Sequence, residues 1–193
     1  TRESAGYHDE HFASPSIASA TSIRKSIFGD GENHAINSYL PDSSVQELYS
    51  YKEEYGSFHR WENYWTLLQY KILSSSKAEL QDIYEVEEGI ENRMVEYAKS
   101  SMYFEDFMSN LKTKRYTWTR LQRMLLHILT DTHKENMRNR HATPEYIRLL
   151  GMNKKGREFI HQQKKSLSLP LISKLSSADQ QAISLDVKAA EIY

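Results

Sequence analysis

The chain contains no cysteine in its 193 residues. Disulfides, thiolate metal sites and thiol nucleophiles are therefore excluded, and a reducing, cytoplasmic setting is the expectation. No apolar run approaches the roughly 18 residues that a membrane-spanning helix requires. The first residues also lack a basic-then-apolar leader pattern, so a soluble protein is expected. A Gly-rich phosphate loop, a Gly-x-Ser-x-Gly elbow and a His-Glu-x-x-His pair are missing as well, and a self-contained catalytic centre of those kinds is excluded with them. Proline and glycine number only four and seven. Several stand where patterns stop or restart: Gly29, Gly31, Pro41, Gly56 and Pro144 at helical ones, and Gly151 at the end of a possible strand. The length suffices for one large or two small domains with a substantial core.

Charge is nearly balanced overall, with a net of -1, but it is unevenly distributed. Between Lys112 and Lys165 fourteen Lys and Arg face four acidic residues, a net of +10, which leaves -11 for the remainder. Clustered cations gain free energy by releasing counterions from phosphates, so this asymmetry points to a polyanion-binding half. The alternative is that the two halves neutralise each other in the fold.

Residues 1–16 show no helical periodicity and read as loop or strand. Ser14 to Phe28 crowds hydroxyl residues before a short helix that Gly29 to Gly31 ends. Exposed amides at such a terminus, with Arg24 one turn inside, suit an anion; simple capping is the competing reading. Helices are predicted over 33–40 and 43–55, then over 58–73, where Trp61, Tyr64, Trp65, Leu68 and Ile72 form an apolar stripe that favours packing over base stacking. Three shorter helices are predicted over 76–83, 89–99 and 103–111. Residues 131–140 are predicted either to continue the helix before them or to start a polar helix. A strand through Tyr146 to Leu150, a helix over 158–165 and a second strand over 169–172 suggest a small parallel pair, and a closing helix is predicted over 178–192.

The most informative stretch is Leu111 to Thr130. Trp118, Leu121, Leu125, Ile128 and Leu129 recur at the spacing of a buried helical stripe. Arg120, Arg123 and His127 recur on another flank, with His127 expected to face solvent or a phosphate. Thr117 or Thr119 is placed to cap the first turn, which leaves Lys112, Lys114 and Arg115 in the preceding loop. With Lys154, Lys155 and Arg157 these cations are the candidate phosphate contacts, supplying charge more than base reading. His8, Asp9, Glu10 and His11 contain metal-ligand residue types, but without a helix or further ligands no metal site is assigned.

Ser19-Ala20-Thr21-Ser22-Ile23-Arg24 is similar to the C-terminal signature of the nucleotidyltransferases whose other motif is His-x-Gly-His. The wider series extends the likeness. Arg2 to Asp9, Ala18 to Lys25, Trp61-Glu62-Asn63-Tyr64, Ile83 to Arg93, Lys112 to Arg123, Tyr146 to Gly151 and Leu169 to Lys174 occur in an order that resembles the tRNA(Met) cytidine acetate ligases through nearly all of the chain.

The resemblance implies an enzyme that uses ATP, with Mg, to activate acetate as acetyladenylate and then acetylates N4 of the wobble cytidine of elongator tRNA(Met). It implies ATP contacts at Arg2, Ser19, Thr21, Ser22 and Arg24. The His-x-Gly-His motif of that family does not occur in the chain, so the catalytic residues stay unassigned. The chain is expected to be the C-terminal portion, inactive by itself. The expected fold is mainly α. Residues 1–40 would be the tail end of a Rossmann-like nucleotidyltransferase domain, and residues 41–193 a helical, partly basic, tRNA-binding domain with a small parallel two-strand element. A helical protein-interaction domain and the tail of a small-molecule nucleotidyltransferase are the alternatives.

Overall fold

The computed structural model describes residues 11, 12, 14, 17–29, 33–87, 89–138, 144–174 and 183–192. Two compact units divide the chain, Thr1–Arg60 and Trp61–Tyr193. The helix after Pro41 thus belongs to the first unit, and the division falls beyond the 40/41 boundary expected from the sequence.

In the first unit, α1 (Ala20–Phe28) packs against a 3-10 helix at Asn33–Tyr39, and α2 (Asp42–Tyr55) follows. Gly56 stops α2 at φ 77°, a left-handed conformation that glycine adopts without steric cost, and its N–H closes on Lys52 O at 2.8 Å. Aromatic contacts stitch the unit together. The Phe12 and Tyr39 rings stack with centroids 4.2 Å apart, Tyr51 stacks on Phe58 at 6.0 Å, and Phe58 meets Phe28 edge-on at 6.5 Å.

The second unit holds the main core. Its helices are α3 (Trp61–Ser74), α4 (Lys77–Asp82), α5 (Ile90–Ser100), α6 (Phe104–Leu111), α7 (Trp118–Leu129), α8 (Lys134–Arg138), α9 (Lys154–Gln163) and α10 (Ser184–Ile192). Helix α3 packs on α5, α6 and α7, and α5 also packs on α4 and α6. The facing stripes are Trp65, Leu68 and Ile72; Ile90, Met94 and Ala98; Phe104, Phe107, Met108 and Leu111; and Leu121, Met124, Leu125 and Ile128. Each large side chain buried this way contributes about 1.5–3 kcal/mol. Trp65 lies 4.8 Å from Phe107 between ring centroids, and its indole N–H donates to Met102 O at 3.0 Å.

Polar groups finish the helix ends. Ser76 and Glu79 form a reciprocal capping box on α4, which holds the Glu79 carboxyl below its usual range, chiefly through the Ser76 backbone N–H. Glu62 accepts the Phe104 N–H at 3.0 Å, so a carboxylate of α3 meets the first turn of α6. Buried Glu91 accepts from the side-chain amides of Gln81 and Asn92, both at 2.8 Å, tying α4 to α5.

Strands β1 (Ile147–Arg148) and β2 (Leu171–Ile172) pair in parallel, with Ile147 opposite Leu171 and Arg148 opposite Ile172. The expected mainly α fold with a two-strand parallel element is therefore observed. Several boundaries differ: both strands are shorter than expected, α3 starts at Trp61 rather than residue 58, and α8 covers only Lys134–Arg138. Helix α9 begins at Lys154 rather than Glu158, because the Asn153 side chain accepts the Gly156 N–H at 2.9 Å and caps the turn that the sequence reads as a loop. The closing helix is described over Ser184–Ile192.

Candidate functional site

The first candidate is the start of α1. Ser19 is the N-cap, and its Oγ accepts the Ser22 N–H at 2.9 Å. The Ser22 hydroxyl donates to Ser19 O at 2.9 Å, and the two hydroxyl oxygens lie 3.1 Å apart. The ring closes when Ser19 Oγ–H points at Ser22 Oγ, and both hydroxyl protons are then used within the turn. Both residues are buried, whereas Thr21 is half-buried and Arg24 exposed. Of the four expected nucleotide contacts on this helix, Ser19 and Ser22 thus shape the turn. Thr21 and Arg24 are the two that keep solvent exposure. Arg2 and His8 lie outside the described residues.

The second candidate is the basic flank of α6 and α7. Lys112, Lys114 and Arg115 are exposed in the connection between these helices. Thr117 is the residue that caps α7, through the Arg120 N–H at 3.4 Å. The Arg120 guanidinium lies 4.7 Å from the centre of the Tyr116 ring, a cation–π contact on a residue whose own hydroxyl donates to Glu87 O at 2.8 Å. Arg123 is exposed, and its Nε donates to Glu85 Oε2 at 3.2 Å.

His127 lies one turn further along α7. It is half-buried, with the Tyr84 ring edge-on at 5.1 Å. Burial, reinforced by Arg123 and opposed by Glu85, lowers its pKa from 6.5. Packing and the lowered pKa both disfavour the protonated ring there.

Two further cations of the +10 stretch are at least partly withdrawn from the surface. Lys134 Nζ donates to Gln81 O at 2.6 Å and Val86 O at 2.8 Å, and one Arg148 guanidinium nitrogen is buried. The sequence sum therefore overstates the charge available to a ligand. Lys154, Lys155 and Arg157 form the remaining group, exposed on the first turns of α9, where Lys154 and Arg157 line a shallow depression of about 340 Å³ with Glu158, His161 and Gln162. The eight expected tRNA contacts thus fall into two groups carried by different elements.

A polar cluster missed by the sequence reading lies where α7 ends. Asp131, at φ 51°, accepts Lys71 at 2.8 Å and lies 3.8 Å from Lys188 and 3.5 Å from His133 Nε2. His133 Nδ1 is 2.8 Å from Asp82 Oδ2. Sequence spacing carries no sign of this group because its members come from four separate segments. Among the described residues no group of three or more His, Asp and Glu is arranged to hold a metal ion. No helix among them is long and apolar enough to cross a membrane.

A hydroxyl-capped helix start thus lies in the first unit and an exposed basic surface in the second. The sequence model of the HIGH Nucleotidyl Transferase family matches residues 1–193, and the chain belongs to that family. More particularly, it is similar to tRNA(Met) cytidine acetate ligases. It is 47% identical over 195 residues to the one from Bacillus licheniformis, covering 100% of this chain and 47% of that protein. It is 46% identical over 196 residues to the one from Bacillus subtilis, again covering 100% and 47%.

Among solved structures, apo Thermotoga maritima TmcAL superposes with a TM-score of 0.84 at 27% identity, over 97% of this chain and 48% of that one. Thermotoga maritima TmcAL bound with alpha-thio ATP superposes with a TM-score of 0.77 at 28% identity, over 90% and 46%. The chain spans about half the length of the relatives it matches. The resemblance read from the sequence motifs is borne out.

Proposed function

We propose that this chain is the C-terminal portion of a cytoplasmic, ATP-dependent tRNA(Met) cytidine acetate ligase, which acetylates N4 of the wobble cytidine of elongator tRNA(Met) through acetyladenylate. The observation that carries the reading is the match of the whole chain to relatives of that name at 46–47% identity. The neighbour bound to alpha-thio ATP supports ATP as co-substrate. Acetate is the second substrate, and Mg enters with the ATP phosphates.

The roles divide along the chain. Residues 1–40 belong to the nucleotide-binding part. There Thr21, Arg24 and the amides of the first α1 turn contact ATP phosphates, Arg2 adds a further contact, and the Ser19–Ser22 ring holds the turn. A transferring or leaving phosphate gathers negative charge, and fixed donors at a helix N-terminus stabilise it without reorganising. Residues 41–193 carry the tRNA contacts at Lys112, Lys114, Arg115, Arg120, Arg123, Lys154, Lys155 and Arg157. The chain has no His-x-Gly-His motif, so acetate activation needs residues it does not carry, and the chain alone is inactive.

The deciding experiment incubates the full-length protein with ATP, acetate and elongator tRNA(Met) and analyses the nucleosides for N4-acetylcytidine. Acetylcytidine that depends on all three substrates is the expected result; its absence overturns the activity. The surface assignment is tested separately by titrating this chain with tRNA across salt. Log affinity should fall with log salt by about 0.7–0.9 per phosphate neutralised, and Arg120→Glu with Arg123→Glu should abolish most of the binding. Unchanged binding with loss of self-association makes the same surface a protein interface.

A further inference from the structure

We infer that Tyr116 is a positioning residue for RNA: its buried ring holds the Arg120 guanidinium in a fixed place at the start of α7, so that Arg120 meets an RNA phosphodiester as a pre-organised fork and not as a mobile charge. The inference rests on the RNA-binding reading above and separates Arg120 from the other cations assigned to that surface.

Tyr116 is anchored through side chain and backbone alike. Its ring belongs to the buried core of the second unit, and its hydroxyl donates to Glu87 O at 2.8 Å. Its backbone N–H donates to Thr113 Oγ1 at 3.0 Å, and the Thr113 N–H donates back to Tyr116 O at 3.2 Å. These two bonds close the segment between α6 and α7 into a small loop, with Lys114 and Arg115 exposed between its ends. A ring held this way offers a fixed surface. The central carbon of the Arg120 guanidinium lies over it, 4.7 Å from the ring centre. Thr117 caps the turn that brings Arg120 there, by accepting the Arg120 N–H at 3.4 Å.

Arg120 differs in this from Arg123, one turn further on. Arg123 is exposed and gives its Nε to Glu85 Oε2, whereas among the described residues no carboxylate pairs with the half-buried Arg120. A ring attracts the guanidinium without supplying an oxygen acceptor, so the N–H edge stays available to two oxygens of one phosphate. Holding a long side chain in place beforehand lowers the ordering cost that binding otherwise carries. The surrounding charge selects a polyanion over a single carboxylate, because residues 112–123 contain five Lys and Arg and no Asp or Glu. The competing reading is that Arg120 merely covers the ring with its aliphatic stem. That role needs neither the fork nor a ligand, and substitution separates the two.

The test titrates the full chain and its variants with labelled elongator tRNA(Met) over a salt series, after circular dichroism has shown each variant folded. Tyr116→Leu keeps every charge but removes the ring. It should weaken binding by about 2- to 13-fold, the effect of ordering one freed side chain, with no change in the salt slope. Tyr116→Phe keeps the ring and should bind nearly as the unaltered chain does. In an Arg120→Ala background, where the slope is already lower by about 0.7–0.9, Tyr116→Leu should cause no further loss. Retained affinity in Tyr116→Leu, or the same loss with and without Arg120, overturns the positioning role and leaves the RNA-binding surface standing. Should Tyr116→Leu fail to fold, Arg120→Lys decides, since it keeps the charge and the stem but loses the fork. A similar loss at constant slope then supports the proposal, and unchanged binding overturns it. Failure of the unaltered chain to bind the tRNA at low salt overturns the RNA-binding reading and the fork with it.

Discussion

Arg123 on α7 donates through Nε to Glu85 Oε2 at 3.2 Å, and Glu85 is held at φ 65° in the turn before α5. A strong candidate phosphate contact thus already has a carboxylate partner. The pair is partly exposed, so it contributes little to stability. Its larger effect is on ligand binding, because an incoming phosphate must compete with Glu85.

Glu85→Gln is therefore expected to strengthen tRNA binding. Freed from its partner, Arg123 adds one neutralised phosphate, and the slope of log affinity against log salt should steepen by about 0.7–0.9. Fluorescence anisotropy over a salt series reads both quantities. Unchanged affinity and slope would remove Arg123 from the interface.

At the nucleotide end, capping and ligand contact separate by substitution. Ser19→Ala removes the α1 cap and should cost about 0.5–2 kcal/mol, seen as faster hydrogen exchange at the Ser22 and Ile23 amides, whose acceptors are Ser19 Oγ and Ser19 O. Arg24→Ala should leave that exchange unchanged and weaken ATP binding in the full-length protein by about tenfold or more. If Arg24→Ala binds ATP as the unaltered protein does, the phosphate role of this residue is wrong.

Core truncation should be severe in the second unit. Phe107 is fully buried on α6 against Trp65, and Phe107→Ala is expected to lower stability by about 3–5 kcal/mol, measured by urea denaturation. Phe159→Ala, on an exposed site, should stay within about 0.5 kcal/mol of the unaltered chain.

Two groups make stability fall on acidification, in separate windows. His127 has its pKa lowered from 6.5 by burial, so the unfolded chain binds its proton first. Stability should decline as pH falls below 6.5 toward the folded value. His127→Gln should flatten that part of the profile.

Asp131 acts at lower pH. Its pKa is lowered from 3.8, chiefly by the hydrogen bond from Lys71. Its contribution is present above 3.8 and is lost as pH falls through the folded value. With both partners partly exposed, the effect is at most about 1 kcal/mol. Asp131→Asn, which tolerates the left-handed backbone, should remove it. A pH series of denaturation midpoints resolves the two windows.

Much of this architecture is legible in the amino-acid order. The stripes on α3 and α7 declare themselves because a buried helix face repeats every three or four residues. Hydroxyl residues before α1 and Thr117 or Thr119 before α7 mark those helix starts without fixing which residue caps, and the β1–α9–β2 alternation follows from apolar runs around a helical one. The start of α9 was misplaced because one side-chain hydrogen bond from Asn153 decides it, and a local polar bond has no periodicity. Membership of the HIGH Nucleotidyl Transferase family was legible too, since the motif series runs in order through the chain.

Sequence alone therefore determined which residues are apolar at helical spacing, where cations concentrate and which family motifs recur. Only the tertiary structure decided which cations remain available to a ligand. Lys134 is committed to backbone carbonyls, Arg123 is shared with Glu85 and His127 is packed against Tyr84. Those outcomes depend on partners as far apart in the chain as Glu85 and Arg123. Charge counted along a sequence is additive, whereas charge on a folded surface is what remains after distant partners have met.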